Sequence, residues 1–143
     1  MDNKLFYNEI LTEHNMFPEN KRSINGANLV LEGVNPSCGD DIIVSLKVND
    51  NNIIEDGAFT GSGCAISQAS ADIMISMLIG RTKEEALHFA DLFFKMIKGE
   101  ASADEIEELE EAGALKDISH MPARVKCALL GWRTVREMFS VNE

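Results

Sequence analysis

Hydrophobic and polar positions alternate in the middle of the chain, and this alternation predicts β-strands. The clearest case is the segment 41–48, and two shorter apolar runs flank it at 28–33 and 53–60. The alternating apolar residues of the central segment are Ile42, Val44, Leu46 and Val48. The tract 49–52 reads Asn-Asp-Asn-Asn, which favours a hairpin turn because these residues tolerate positive φ. We therefore expect a small antiparallel sheet of three strands.

Helical spacing governs both ends of the chain. The segment 5–16 has apolar residues three and four apart and is stopped by Pro18. After the strands, the pattern predicts helices over 65–79, 82–97, 102–111 and 122–139. Gly80 closes the first of these, and Thr82 with Glu85 forms a capping box for the second. Strands followed by helices predict an α+β fold, with the sheet packed against helices.

Length and charge limit the classes of protein to be considered. A chain of 143 residues predicts a single domain over 1–143. Its net charge of −11 disfavours nucleic acid as a partner, because most of the surface repels polyphosphate. The apolar runs are too short for a membrane span, and the N-terminal segment lacks the apolar core of a signal peptide. These features predict a cytoplasmic protein with no membrane partner.

Much of the negative charge is local. Between positions 100 and 117 there are eight acidic residues, and Lys116 is the one basic residue among them. A helix over 102–111, ending at Gly113, would carry most of these acids. One interpretation is a solvated helix face, and the other is a docking surface for a basic partner.

Three cysteines and one aspartate carry the candidate chemistry. An odd, small number of cysteines outside the secretory pathway favours metal or redox chemistry over a disulfide framework. Cys38 lies in a loop between two predicted strands, where we expect an exposed thiol. Asp40 follows two residues later and either shares a ligand site or caps the turn. Cys64 follows Gly-Ser-Gly and precedes a helix, whose N-terminus favours a thiolate; the alternative is a buried cysteine at a turn.

Cys127 lies on the last predicted helix. At 100° per residue it falls nearly opposite the apolar stripe of that helix, so we expect it outside the ordinary core. The stripe comprises Val125, Ala128, Leu129, Trp132, Val135 and Phe139. Arg124 and Lys126 are close to Cys127 in sequence and could offset the charge of metal-bound thiolates; the alternative is a solvated face. None of the three histidines has metal-ligand spacing, so we interpret each as structural or exposed.

The cysteine motifs resemble those of the NifU/IscU-type iron–sulfur scaffold family. The matching segments are NPSCGD at 35–40, GSGCAIS at 61–67 and PARVKCA at 122–128, and they occur in the family's order. His14, Pro18 and Asn20 also resemble its N-terminal segment. Lys126, where IscU-type proteins have histidine, and an acidic insert near 101–118 are similar to the SufU branch.

This resemblance implies a function. It implies a zinc site made by Cys38, Asp40, Cys64 and Cys127, with Arg124 as the family's arginine near the site. Cys38 would accept persulfide sulfur from a SufS-type, PLP-dependent cysteine desulfurase, and other iron–sulfur assembly proteins would be further partners. One alternative is a scaffold on which an iron–sulfur cluster is assembled and passed on. The other is a zinc module in which the metal merely supports folding.

Overall fold

The computed structural model describes residues 9–141, so positions 5–8 of the first predicted helix lie outside the described residues. Helix α1 spans Glu9–Met16, and strands β1, β2 and β3 span Leu29–Asn35, Asp40–Val48 and Ile54–Ser62. Helices α2, α3 and α4 follow at Ala65–Leu78, Lys83–Ile97 and Ala103–Glu108. A 3₁₀ helix occupies Glu110–His120, and α5 spans Pro122–Val141.

The three strands form one antiparallel sheet in the order β1-β2-β3. The alternating residues Ile42, Val44 and Leu46 of β2 are fully buried, as the sequence pattern requires. The hairpin turn after β2 contains Asn52 at φ 62°, and the Asn49 side chain accepts hydrogen bonds from two backbone N–H groups of the turn. The predicted α+β fold is confirmed.

Helices α2 and α5 form the centre of the core. Nearly every side chain of α2 is buried, and α5 packs against α2, α3 and β1. Trp132 of α5 stacks on Phe93 of α3, with ring centroids 4.9 Å apart. Within residues 9–141, the helices are all too short or too polar to cross a membrane.

The acidic segment differs from the predicted helix over 102–111. Its N-terminal capping box, Ser102 with Glu105, is present, but α4 ends at Glu108 and a 3₁₀ helix begins at Glu110, which has φ 53°. The reason lies in apolar spacing. The buried residues of this stretch are Leu109, Ala112, Leu115 and Ile118. They recur every third position, which is the period of a 3₁₀ helix and not of an α-helix.

Several acids of this segment contact bases on or next to α3. Glu105 accepts from Lys95 at 2.6 Å, and Glu110 accepts from Arg81 at 2.9 Å. Glu108 also lies 2.6 Å from the exposed His88. Such surface pairs contribute little energy singly, but together they fix the segment beside α3. Docking of a basic partner on the remaining acids stays a prediction.

The N-terminal segment is anchored to α2 through a buried carboxylate. Asp72 is fully buried, and its Oδ1 accepts a hydrogen bond of 2.8 Å from the backbone N–H of Asn20. Asn20 Nδ2 donates to the Asp72 carbonyl oxygen and to Ser76 Oγ. His14 Nδ1 lies 2.5 Å from Asp72 Oδ2, and its Nε2 lies 3.3 Å from Glu111. Since a buried carboxylate needs such partners, His14 and Asn20 have structural roles.

We expect the stability of the protein to fall as pH rises above 6.5, because of His14. Burial alone lowers the pKa of His14, but the hydrogen bond and charge of Asp72, with help from Glu111, outweigh it and raise the pKa above 6.5. A raised folded-state pKa gives stabilisation that is complete below 6.5 and is lost as pH rises through the folded value. Urea unfolding between about pH 6 and about pH 8 measures this loss.

The variant His14→Gln should remove much of that pH dependence, because glutamine does not titrate. The matched control is His88→Gln, which removes an exposed histidine paired with one glutamate. An equal loss of pH dependence in the control would show that the effect does not come from the contact of His14 with the buried Asp72. Equal slopes for the parent and His14→Gln would contradict the assignment.

Candidate metal centre

Four chain segments bring the predicted ligands to one end of the sheet. Cys38 lies in the turn between β1 and β2, Asp40 is the first residue of β2, and Cys127 is in the second turn of α5. The ligand atoms of these three residues all lie within 4.8 Å of one another. This spacing is compatible with coordination of a single ion.

Cys64 lies beside this group but is not part of it. It is the N-cap of α2, and its Sγ accepts a hydrogen bond of 3.5 Å from the backbone N–H of Ser67. Its own backbone N–H donates to Asp40 Oδ1 at 2.7 Å. The structure thus brings three of the four predicted ligands together and places Cys64 next to them.

Asp40 is fully buried and receives hydrogen bonds at both carboxylate oxygens. Oδ1 accepts from the Cys64 backbone and lies 3.1 Å from Ser67 Oγ, while Oδ2 accepts from Asn35 Nδ2 at 3.2 Å. These donors come from the end of β1 and the start of α2. The carboxylate therefore links the segments that carry the cysteines and does more than cap a turn.

The prediction that Cys127 lies outside the core was wrong, because Cys127 is fully buried. Helix α5 has two buried faces, and the second contains Cys127, Leu130 and Thr134 at positions i, i+3 and i+7. This face packs on β1 so closely that a Cβ on Gly33 would lie 3.2 Å from Leu130 Cδ1. Thr134 is polar, so the sequence pattern did not reveal this face.

The thiols differ in their surroundings. Cys38 is half-buried, less exposed than we expected of a loop thiol, and Cys127 Sγ donates to Cys38 Sγ at 3.0 Å. Burial, followed by hydrogen bonds with Cys38 and Cys64, raises the pKa of Cys127. Burial lowers the pKa of Arg124, but Cys64, Cys127 and Cys38 together outweigh this and raise it. These influences indicate that Arg124 lies near the thiols, and its role in the site stays a prediction.

The donor set fits a thiophilic metal ion. Thiolates and a carboxylate are ligands of zinc and also of iron. Asp40 and Cys127 are buried, and the hydrogen-bond partners of their side chains are Asn35, Ser67, the Cys64 backbone and Cys38. Because the thiol of Cys127 binds its proton tightly, metal binding would have to release that proton.

Sequence reasoning missed Asn35 and Ser67 as parts of the site. Both lie within the cysteine motifs, and both are buried. Asn35 follows Gly33 by two positions on β1, so strand periodicity places its side chain on the inner face. A polar residue on an inner face needs a partner, and this signal could have identified Asn35.

We expect Gly63→Ala to damage the site by steric contact. A Cβ at position 63 would lie 2.5 Å from Ser67 Oγ and 2.6 Å from Asp40 Oδ1. Relief of this contact should cost about 1–3 kcal/mol of unfolding free energy and displace the carboxylate. Denaturant unfolding and bound metal after zinc loading measure the two effects.

The matched control is Gly39→Ala. Gly39 has φ +71°, but a Cβ there meets no atom within 4 Å. The control should lose about 1–2 kcal/mol through backbone strain and still bind metal. Full metal binding by Gly63→Ala would show that the contact is relieved without moving Asp40.

The fold and this cysteine–aspartate centre define the class of protein. A family model for the NifU-like N-terminal domain matches residues 6–138, and the chain belongs to that family. The matched range includes all three cysteine motifs on which the resemblance was based.

Several relatives cover nearly the whole chain. The zinc-dependent sulfurtransferase SufU of Bacillus subtilis is 37% identical over 96% of this chain and 91% of its own length. The iron–sulfur cluster assembly scaffold protein IscU of Thermotoga maritima is 38% identical over 94% of this chain and 92% of its own. Among solved structures, a SUF-system scaffold protein from Fervidobacterium islandicum has 35% identity and a TM-score of 0.86, covering 96% of this chain and 98% of that one.

Proposed function

We propose that this chain is a zinc-dependent sulfurtransferase of iron–sulfur cluster biogenesis in the cytoplasm. In this proposal Cys38 accepts persulfide sulfur from a SufS-type, PLP-dependent cysteine desulfurase. The observation that carries the proposal is the contrast between ligands: Cys38 is half-buried in a turn, whereas Asp40 and Cys127 are fully buried and the half-buried Cys64 is held as the N-cap of α2. The similarity to a relative named as a zinc-dependent sulfurtransferase supports it.

Zinc would be held by Cys38, Asp40, Cys64 and Cys127, and when bound it keeps thiols deprotonated at neutral pH. Asp40 and Cys127 approach from beneath the surface, whereas Cys38 and Cys64 are both half-buried. Of these two accessible ligands, Cys64 caps helix α2 and Cys38 lies in the turn between β1 and β2, so Cys38 is the one that can move to meet an incoming protein.

The transfer is a thiolate–disulfide type of exchange without net oxidation. The Cys38 thiolate attacks the terminal sulfur of the partner's cysteine persulfide, and a new S–S bond forms at Cys38 Sγ. The S–S bond of the partner breaks, and its electron pair leaves with the partner's cysteine as a thiolate. Cys38 then carries the persulfide. Arg124, which lies near the thiols, stabilises the negative charge that gathers around them.

The second candidate function is a scaffold on which an iron–sulfur cluster is assembled and passed on. Its support is the set of relatives named as IscU scaffolds, at 37% and 38% identity. The same donors also suit iron. Lys126, in place of the histidine of IscU-type proteins, favours sulfur transfer.

The decisive experiment is cysteine turnover by a SufS-type desulfurase with and without the zinc-loaded chain. We expect strong stimulation by the parent and none by Cys38→Ala, because that variant has no sulfur acceptor. Mass spectrometry should find one added sulfur on Cys38 of the parent. A parent chain that binds zinc and leaves turnover unchanged would contradict sulfur transfer.

Metal content and colour separate the remaining alternatives. The purified chain should be colourless and contain about one zinc ion, as expected for a tetrahedral site with thiolate ligands. A brown protein that contains iron and sulfide would favour the scaffold. Zinc binding together with an inert Cys38 would favour a module in which metal only supports folding.

A further inference from the structure

The four ligands of the proposed site are held to different degrees. Cys38 lies in a turn closed by two long backbone hydrogen bonds, Cys38 N to Asn35 O at 3.2 Å and Gly39 N to Pro36 O at 3.3 Å. Asp40, in contrast, is fixed at both oxygens by buried or backbone donors. In the proposed transfer Cys38 must leave the metal to react, whereas Asp40 must stay on it. The long hydrogen bonds of the Cys38 turn and the buried hydrogen bonds of Asp40 agree with these different requirements.

Asn35 connects Asp40 with Cys127. Its Nδ2 lies 3.2 Å from Asp40 Oδ2 and 3.8 Å from Cys127 Sγ, so its two amide hydrogens can serve both groups. Asn35 is 3% exposed, so water cannot easily replace it. Donation to a ligating carboxylate and to a ligating sulfur is the usual work of groups that surround a metal site.

Ser67 connects Asp40 with Cys64. Its Oγ lies 3.1 Å from Asp40 Oδ1 and 3.0 Å from the Cys64 carbonyl oxygen, and its backbone N–H donates to Cys64 Sγ. The negative carboxylate is the stronger acceptor for the single hydroxyl hydrogen. Ser67 is fully buried in the first turn of α2. Asn35 and Ser67 together thus form hydrogen bonds with Asp40, Cys64 and Cys127.

We propose that Asn35 and Ser67 are positioning residues that keep Asp40, Cys64 and Cys127 together as a metal-binding set while Cys38 is engaged in sulfur transfer. The inference rests on the proposed function, because only a reacting Cys38 must leave the metal. The two residues act through the ligands and do not themselves bind the ion. Their contribution should therefore appear most clearly when Cys38 is absent.

The experiment uses the full chain with Cys38→Ala as the background, which leaves three protein ligands. Zinc affinity is measured by competition with a chromophoric chelator, before and after adding Asn35→Ala or Ser67→Ala. Each added substitution should weaken zinc binding about 10- to 100-fold, as loss of supporting hydrogen bonds does at other metal sites. Cobalt loading gives a second readout, because the absorption bands of Co²⁺ report ligand geometry.

The matched control is Ser70→Ala, one turn further along α2. Ser70 is also fully buried, and its hydroxyl donates to the Ala128 carbonyl oxygen at 2.7 Å instead of to Asp40. It should leave zinc affinity and the cobalt spectrum unchanged. Thermal unfolding of the metal-free variants shows whether Ser67→Ala and Ser70→Ala lower stability by similar amounts. If the role of Ser67 were merely structural, two variants of similar stability would also have similar zinc affinity.

Parental zinc affinity and an unchanged cobalt spectrum in both Asn35→Ala and Ser67→Ala would overturn the inference. An equal loss of affinity in Ser70→Ala would also overturn it, because the effect would then be general to buried serines. These measurements need no desulfurase. Failure of sulfur transfer and failure of this inference are therefore distinguishable.

Discussion

Asp40 places a carboxylate where water cannot reach it, and the architecture of the site depends on how that group is satisfied. An unpartnered buried charge costs several kcal/mol, so its donors must be in place for the fold to form. The donors are Asn35 at the end of β1, the backbone of Cys64 and the hydroxyl of Ser67. Satisfying this one group thus brings together the β1–β2 turn and the N-terminus of α2, which carry Cys38 and Cys64.

A second buried carboxylate, that of Asp72, lies on helix α2 about two turns after its N-cap, and it too is satisfied by donors from a distant segment. That carboxylate is also fully buried, and it accepts hydrogen bonds from the N-terminal segment through His14 and Asn20. The helix that begins at the metal centre therefore also anchors the start of the described chain. His14 and Asn20 of the N-terminal motif therefore contribute no metal ligand. They bind the buried Asp72 of α2, the helix that positions Cys64.

Much of the fold follows from local patterns, whereas the site depends on contacts between distant segments. Strict alternation in β2 and the Thr82 capping box predict a strand and a helix start, and both are observed. The face of Cys127 was misjudged because α5 is buried on two sides, and Thr134 makes the second side look polar. The 3₁₀ helix was missed although Leu109, Ala112 and Leu115 already have its spacing. Cys38 and Cys127 are 89 positions apart, so local periodicity could not set their separation.

The charge of the molecule poses a further requirement for the proposed sulfur transfer. A chain of net charge −11 would accept an anionic persulfide poorly if its acids surrounded the site. Several acids of the segment around 105–110 instead contact bases next to or on α3, whereas Arg124 lies near the three thiols. Three thiolates and a carboxylate on a divalent ion leave a charge of about −2, and a cation beside them offsets part of it. Arg124 thus offers positive charge near the thiols, in contrast to the net negative charge of the protein as a whole.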